Sequence, residues 1–449
     1  MDFLKGIFKN FDFVGVLWFS SPRLKHSSRT VAPFFFNSCA NFLIWGLNLR
    51  LPHKTTDFII LHINTKIIIL VCSTAPSHLL ITRYNQNMLT KDEKDYLKKI
   101  PASKKASIKP FDQQAKKVGD SVVSKIKKAL PKVKVLFMGS TALGIAGQND
   151  IDIYVLSEPK DFDKYLPNLK KLFGAPKHIH KTFIEWKFDK SGYPVELYLT
   201  EPPEKQIKVF EILKSNKKLL KRYENLKLKF NGKSFRDYQR AKYEFYNQIL
   251  SREIVRKGYN KIANKYLSTR SQFKDFKYLK KLNSLLKPNS TILDIGCGSG
   301  KPIDKFLTDK GHKIIGIDIS QKQIELARKN IPKGKFEVKD LTDLESREYR
   351  VDAVVSFYTI FHISRKKHQK LFGVINSFLP KNGLILVSMG ASDWEGIENF
   401  HGTKMYWSHY GPEKNKKMVK NAGFDIISDE IDTSGGERHQ IILARKRRN

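Results

Sequence analysis

Thr291-Ile-Leu-Asp-Ile-Gly-Cys-Gly-Ser-Gly300 is an apolar run that breaks into alternating glycines. Its aliphatic and β-branched opening predicts a buried strand. Gly296, Gly298 and Gly300 then let the backbone turn sharply and come close to a ligand that a Cβ would strike. The segment from Pro302 to Lys310 has helical spacing, so the unit reads as strand, glycine-rich turn, helix. Such a turn alone also occurs in nucleotide-binding dehydrogenases and in turns that bind nothing.

The neighbourhood narrows the reading. A second strand, Lys313 to Ile317, runs into Asp318, an acid placed to accept hydrogen bonds from two ribose hydroxyls. Lys335-Phe-Glu-Val-Lys-Asp340 puts Asp340 after a short strand, where a carboxylate can meet an adenine amino group. A fourth strand, Val351 to Ser356, leads into Phe357-Tyr-Thr-Ile-Phe-His-Ile363. Four strand ends thus deliver ligand-type residues to one edge of a mostly parallel α/β sheet, the edge at which open α/β folds bind ligands.

The run from Ile292 to Ala327, with Phe-His-Ile, Leu-Pro-Lys-Asn-Gly-Leu and Ala-Gly-Phe further on, resembles class I S-adenosylmethionine-dependent methyltransferases over residues 259–445. The resemblance implies a Rossmann-like domain with a mostly parallel seven-stranded sheet. It implies that Asp294 and the loop Gly296-Cys297-Gly298, with Gly300, lie against the methionine part of the cofactor. Asp318 with Ile319 would hold the ribose, Asp340 with Leu341 would border the adenine, and Phe357 would lie near the sulfonium. A sulfonium already carries its leaving group, so the protein must chiefly align the reacting atoms and exclude water; neither a metal nor a covalent nucleophile is required. Cys297 therefore reads as a packing residue rather than a catalytic thiol. His362, and His409 in the aromatic run Met405-Tyr-Trp-Ser-His-Tyr410, are the candidate catalytic bases. The plainer alternative is that His362 fills a gap and Trp407 belongs to the core. Glu395 and Glu398 can also line a pocket. Ser-Phe-Tyr-Thr stands where DNA-amino methyltransferases carry an Asn/Asp-Pro-Pro-Tyr tetrad, which favours a small-molecule acceptor over RNA.

A second constellation lies upstream. Gly139-Ser140 closes a strand, and Asp150-Ile-Asp152 opens another, with both acids on one face because strand side chains alternate. Glu196 lies on a later strand. Three converging carboxylates repel unless a divalent cation sits among them, and Mg2+ there would clamp a nucleoside triphosphate while the Gly-Ser turn meets its phosphates. The Gly-Ser turn with Asp-x-Asp resembles the nucleotidyltransferase superfamily. The longer Gly-Ser-Thr-Ala-Leu-Gly-Ile-Ala-Gly match, with Tyr-Glu-Asn-Leu-Lys and Tyr-Gln-Arg-Ala-Lys-Tyr-Glu-Phe, is similar to its GrpB-like branch over residues 111–250. That resemblance implies a smaller α/β domain and, with both aspartates and the third acid present, a metal-dependent nucleotidyl transfer. The alternative is a domain that only binds nucleotide or RNA, through helices rich in Tyr and Lys; Asp150 then merely starts a strand and Glu196 faces solvent. His178, His180 and Lys181 are surface residues or substrate contacts.

Composition sets the frame. The chain has 449 residues, long for one core, and 82 basic against 44 acidic side chains, a net +38. The lysines are spread throughout, so the surplus bears on encounter with anions rather than marking one patch. Cys39, Cys72 and Cys297 form no ligand cluster, which argues against structural zinc or a disulfide framework and fits a reducing cytoplasm. The apolar run Phe58 to Cys72 is interrupted by His62, Asn64 and Lys66 and falls short of the roughly 20 residues of a membrane span, so no stable membrane association is expected. The expected organisation is an atypical, poorly ordered extension over 1–87, with Met88 the natural start, then a GrpB-like domain over 88–252 and a methyltransferase domain over 253–449. The helices between Tyr238 and Ser268 join the last two.

Overall fold

The computed structural model describes residues 89–269, 276–434 and 437–448, with the backbone of short strands between Trp18 and Val71. Most of the expected extension over 1–87 lies outside the described residues; its strands Phe58–Ile63 and Lys66–Val71 pair antiparallel. Contacts divide the chain into Met1–Tyr84 and Asn85–Asn449. Among the described residues no helix is long and apolar enough to cross a membrane.

The second unit starts with the helix Lys91–Lys99. Thr90 accepts from the Glu93 N–H at 3.2 Å while Glu93 accepts from the Thr90 N–H at 2.8 Å, a reciprocal cap that satisfies two otherwise orphaned donors. A five-stranded sheet follows, in the order Lys134–Met138, Ile151–Leu156, Tyr193–Thr200, Phe183–Lys190, His178–Ile179. Ile151–Leu156 and Tyr193–Thr200 run parallel; the other neighbours are antiparallel. Alternation sends Ile151, Ile153 and Val155 into a core with Leu197, Leu199 and Trp186, under the helix Gln113–Ala129. Asp152 and Tyr154 point to the opposite face.

After the sheet come the helices Glu204–Ser215 and Lys217–Lys229, and the stretch from Tyr238 to Ser268, expected as several helices, is a single one. One helix of 35 residues, Phe235–Thr269, runs on into the C-terminal part, a length of about 50 Å at ~1.5 Å per residue.

The C-terminal sheet has seven strands in the order Lys335–Val338, Lys313–Asp318, Thr291–Ile295, Ala353–Ser356, Leu384–Gly390, His439–Lys446, Phe424–Asp432. The first five are mutually parallel, and His439–Lys446 alone is reversed. Both faces are covered, which is why these strands read as apolar runs rather than alternations. Leu293, Ile295 and Val354 pack against Phe372, Ile375 and Phe378 on one side. Ile292, Ala353 and Val355 pack against Leu279, Leu282 and Ile324 on the other.

An element not foreseen is the hairpin Trp394–Phe400 with Thr403–His409. His401 and Gly402 turn with φ of 51° and 83°, the left-handed pair a two-residue hairpin loop requires. Met405 and Tyr406 pack on Val255 and Ile262 of the long helix. Gly258 permits that approach, since a Cβ there would lie 2.8 Å from Met405 Cε.

Candidate functional site

The glycine loop is built by its hydrogen bonds to the next strand. Gly296 and Cys297 both donate to the Ile317 carbonyl, at 2.7 and 3.0 Å. Gly296 has φ of 84°, and a Cβ on it would fall 1.9 Å from Thr359 Oγ1. The loop places the Gly298 N–H 3.1 Å from Asp318 Oδ2, while the Ser320 N–H, at the start of the helix Gln321–Asn330, donates to Oδ1 at 2.8 Å. Asp318 is thereby fixed between the loop and that helix. Burial pushes its carboxyl up to about 6, against the two backbone N–H donors that favour the charged form.

These elements border a cleft of about 510 Å³, counting its open mouth. Of the residues expected at a cofactor, Gly296, Gly298, Asp318, Ile319, Leu341, Phe357 and His362 line it. Asp294, Cys297, Gly300, Asp340 and His409 do not, each for a visible reason. Asp294 is buried below the loop beside Asp304; burial and the Asp294 charge push Asp304 well above the usual carboxylate range. Cys297 turns into the core against Gly316, and burial raises its thiol, so it stays protonated as a packing residue. Gly300 meets Ile331 and Ala327 on its helix-facing side.

Asp340 is drawn away from the cleft by an arginine. Its Oδ2 accepts from Arg252 Nε at 2.8 Å and its Oδ1 from the Thr342 N–H at 2.8 Å. Burial opposes ionisation of Asp340, but the Arg252 charge and these hydrogen bonds outweigh it and hold the carboxyl below its ordinary value. Arg252 itself lines the cleft where Asp340 was expected.

His362 is held at both ring nitrogens. Nδ1 is 2.7 Å from the Tyr406 carbonyl, which can only accept, so Nδ1 carries the proton and Nε2 accepts from the Tyr259 hydroxyl at 2.8 Å. Burial pushes the imidazole down to about 3, with Arg252 adding to the effect against the Tyr406 bond, so it is neutral. His409 lies outside the lining: its Nδ1 donates to the Ser392 carbonyl at 2.5 Å, and its ring packs on Gly390. Trp407 belongs to the packing, as the plainer reading had it, 4.5 Å from the His362 ring.

The fourth wall comes from residues not anticipated at all. Arg252, Val255, Tyr259 and Tyr266 of the long helix face the cleft; their spacing of three, four and seven is one helical face, a signal present in the sequence. Asn260 fastens the same helix to the sheet by accepting from Ser320 Oγ at 2.7 Å. Gln323 also lines the cleft, 1% exposed, and neither end of its amide has a protein partner among the described residues. Tyr358 sits there with φ of 55°, a strained backbone for a non-glycine residue. A buried unsatisfied amide, a fixed carboxylate and loop glycines that bar a Cβ fit an adenosyl group with its hydroxyls and α-amino acid.

The upstream constellation differs from expectation. Gly139, with φ of 79°, leaves room for Asp152: a Cβ there would come 2.1 Å from Asp152 Oδ2. Gly139, Ser140, Asp150 and Asp152 line a pocket of about 760 Å³, counting its open mouth, together with Lys227 and Lys242. Glu196 lies beside Asp152 in the parallel register but is not in the lining. It accepts instead from Lys187 at 2.7 Å and from the Tyr198 hydroxyl at 2.7 Å. Burial, with Asp150 and Glu196 nearby, pushes Asp152 up to about 8. Among the described residues no three His, Cys, Asp or Glu side chains form a metal-binding group. The expected Mg2+ centre of Asp150, Asp152 and Glu196 is therefore not assembled, because Lys187 takes the third carboxylate and two lysines face the other two. His178 bonds Glu185 at 2.7 Å, away from the cavity.

Comparison with known proteins adds the following. Residues 292–383 match a family model described as a methyltransferase domain, and residues 105–252 match that of the GrpB protein. An uncharacterized protein of Rickettsia prowazekii is 26% identical over 176 residues, covering 35% of this chain and 68% of that protein. Phosphoethanolamine N-methyltransferase 1 of Zea mays is 31% identical over 176 residues, covering 37% of this chain and 34% of the maize enzyme, so the match spans about a third of that relative. The crystal structure of an S-adenosylmethionine-dependent methyltransferase from Methanosarcina mazei aligns with a TM-score of 0.34 at 20% identity, over 37% of this chain and 96% of that one. With its seven-stranded sheet and these two matches, the chain joins a GrpB domain to a class I S-adenosylmethionine-dependent methyltransferase domain.

Proposed function

We propose that the chain transfers a methyl group from S-adenosylmethionine to a small-molecule acceptor in the cleft between the C-terminal sheet and the long helix. The observation that carries this is the joint placement of the glycine loop and Asp318 around one hollow. The bound cofactor supplies a methyl carbon already attached to a sulfonium leaving group. Asp318 accepts hydrogen bonds from the ribose hydroxyls, and Gln323 offers its amide to the polar groups alongside. Phe357, Tyr259 and Tyr266 exclude water and align the acceptor. His362 acts as a positioning residue, since both its nitrogens are engaged and it is neutral; it orients the Tyr259 hydroxyl toward its own Nε2. The modest size of the cleft favours a small acceptor over RNA, as does the maize relative, whose name gives phosphoethanolamine as its acceptor. The test is incubation of the full chain with methyl-labelled S-adenosylmethionine and a cell extract. Label in a low-mass product is expected; label confined to RNA or protein overturns the small-molecule reading.

For the GrpB domain we favour a binding module over a second, metal-dependent nucleotidyl transfer. The reason is specific: Glu196 is held by Lys187, and lysines face Asp150 and Asp152. A pocket lined by Asp150, Asp152, Lys227 and Lys242 suits a single nucleotide-sized polar molecule. Mg2+-dependent transfer of a labelled nucleotide to any acceptor would return the domain to nucleotidyl transfer. The scarce, scattered cysteines support a cytoplasmic setting for both domains.

A further inference from the structure

The turn that carries Leu341 into the cofactor cleft is crowded with acids. Asp340, Asp343, Glu345 and Glu348 fall within nine residues of chain. Leu341 and Leu344 point the other way, 5% and 8% exposed, into the core of the C-terminal sheet, and Leu341 lines the cleft. Carboxylates so close together repel one another, so the seat of Leu341 depends on what neutralises them. Among the described residues the methyltransferase domain pairs one of the four directly, Glu348 with Lys339.

The other three are met from the GrpB domain. Arg252 holds Asp340. Arg222 donates from Nη1 to Asp343 Oδ1 at 2.5 Å, and Lys218 reaches Glu345 Oε1 at 3.0 Å and the Asp343 carbonyl at 3.5 Å. Lys218 and Arg222 stand four apart on the helix Lys217–Lys229 and so share one of its faces. Tyr223, the next residue, is 3% exposed and stacks on Phe245 inside the GrpB domain, which fixes the rotation of the helix. The Arg222 pair is the better shielded: its side chains are 33% and 29% exposed, against 55% and 72% for Lys218 and Glu345, so water and salt screen it less. Burial and the Asp340 charge push the Asp343 carboxyl above its ordinary value, and Arg222 opposes them. Without Arg222, Asp343 must take up a proton or swing out to water, and the backbone beside Leu341 moves with it.

We propose that Arg222 and, more weakly, Lys218 of the GrpB domain are positioning residues for the methyltransferase site, holding the acidic turn 340–345 so that Leu341 forms a fixed wall for the nucleoside end of the cofactor. This rests on the reading of the cleft as the S-adenosylmethionine site. Neither side chain lines the cleft; each acts through the turn. The joining of the two domains thereby has a role of its own, since a wall of the cofactor site in one domain is fastened from the other.

The test is calorimetry on the full chain with S-adenosylmethionine, S-adenosylhomocysteine and adenosine. Arg222→Gln is expected to weaken all three by one common factor of about five, because the turn meets only the nucleoside that they share. Lys218→Gln should weaken them by about twofold. Lys221→Gln, which removes a neighbouring charge that pairs with Glu224 on its own helix, should leave them unchanged. In an Asp343→Asn background Arg222→Gln should cost nothing further, a result that general loosening of the fold would not give. Should Arg222→Gln fail to fold, Asp343→Asn by itself carries the test, with the same common loss expected. Wild-type affinities in Arg222→Gln or its replacement, a loss for S-adenosylmethionine that adenosine does not share, or a further loss in the Asp343→Asn background overturns the positioning role and leaves the cofactor site standing. A wild-type chain that binds none of the three removes the reading of the cleft as well.

Discussion

Arg252, the last residue of the GrpB match, donates from Nε to Asp340 of the methyltransferase domain at 2.8 Å and from Nη1 to the His362 carbonyl at 2.8 Å. One guanidinium thus fixes Asp340, beside the cleft, and the His362 loop to the long helix that walls it. Both partners are largely out of water, with side chains 10% and 18% exposed.

Arg252→Ala is therefore expected to destabilise the chain by about 3 kcal/mol, because it leaves a mostly buried carboxylate without its cation. Urea unfolding measures this. A loss below about 1 kcal/mol would mean that Asp340 is well solvated without Arg252. Asp340→Asn/Arg252→Met should recover part of the loss, since the orphaned charge is then gone.

Cofactor affinity should depend on pH through Asp318. Its folded carboxyl titrates at about 6, against 3.8 for a free one. The group is raised, so the free protein loses stability as pH climbs from about 4 to 6, and that loss persists above. Ribose hydroxyls donate to the ionised form, so binding is strongest above about pH 7 and weakens below pH 6 by up to tenfold per unit. Titration calorimetry between pH 5 and 8 checks this, and Asp318→Asn should flatten the profile. A wild-type profile already flat over that range would contradict the assignment.

His362 gives the opposite expectation. Its imidazole is pushed down to about 3 and is bonded at both nitrogens, so it stays neutral throughout the working range. The rate of methyl transfer should show no His362 limb between pH 5 and 8. A limb near 6.5 that disappears in His362→Gln would restore the general-base role. Tyr259→Phe should cost about 1–3 kcal/mol of stability by leaving Nε2 unsatisfied, and should lower kcat more than it raises the KM for S-adenosylmethionine.

Gly296→Ala sets the loop against Thr359, with a Cβ 1.9 Å from its hydroxyl and φ of 84° to hold. Loss of cofactor binding with the fold retained by circular dichroism is expected; binding unchanged within twofold would show that the loop does not meet the ligand.

The strands were legible because burial on both faces writes itself as apolar runs, and the glycine loop because positive φ demands glycine at 296, 298 and 300. Of the residues expected at those strand ends, Asp318, Leu341 and Phe357 line one cleft. What sequence order hides is partnership. Asp340 and Glu196 read as free acids, yet each is taken by a basic residue, Arg252 or Lys187, that only the fold brings near. The long helix read as a connector because its apolar and aromatic positions serve two domains in turn and no single stripe dominates. The hairpin 394–409 escaped notice because its strands mix charged, small and aromatic residues and most of its positions are only partly buried or exposed.

The most direct test is calorimetry of S-adenosylmethionine binding to the full chain and to Asp318→Ala. Two charge-assisted hydrogen bonds to the ribose are at stake, so the variant should bind roughly thirtyfold more weakly or worse, with its melting behaviour retained. Equal affinity for the two proteins would contradict the account of this cleft as the cofactor site.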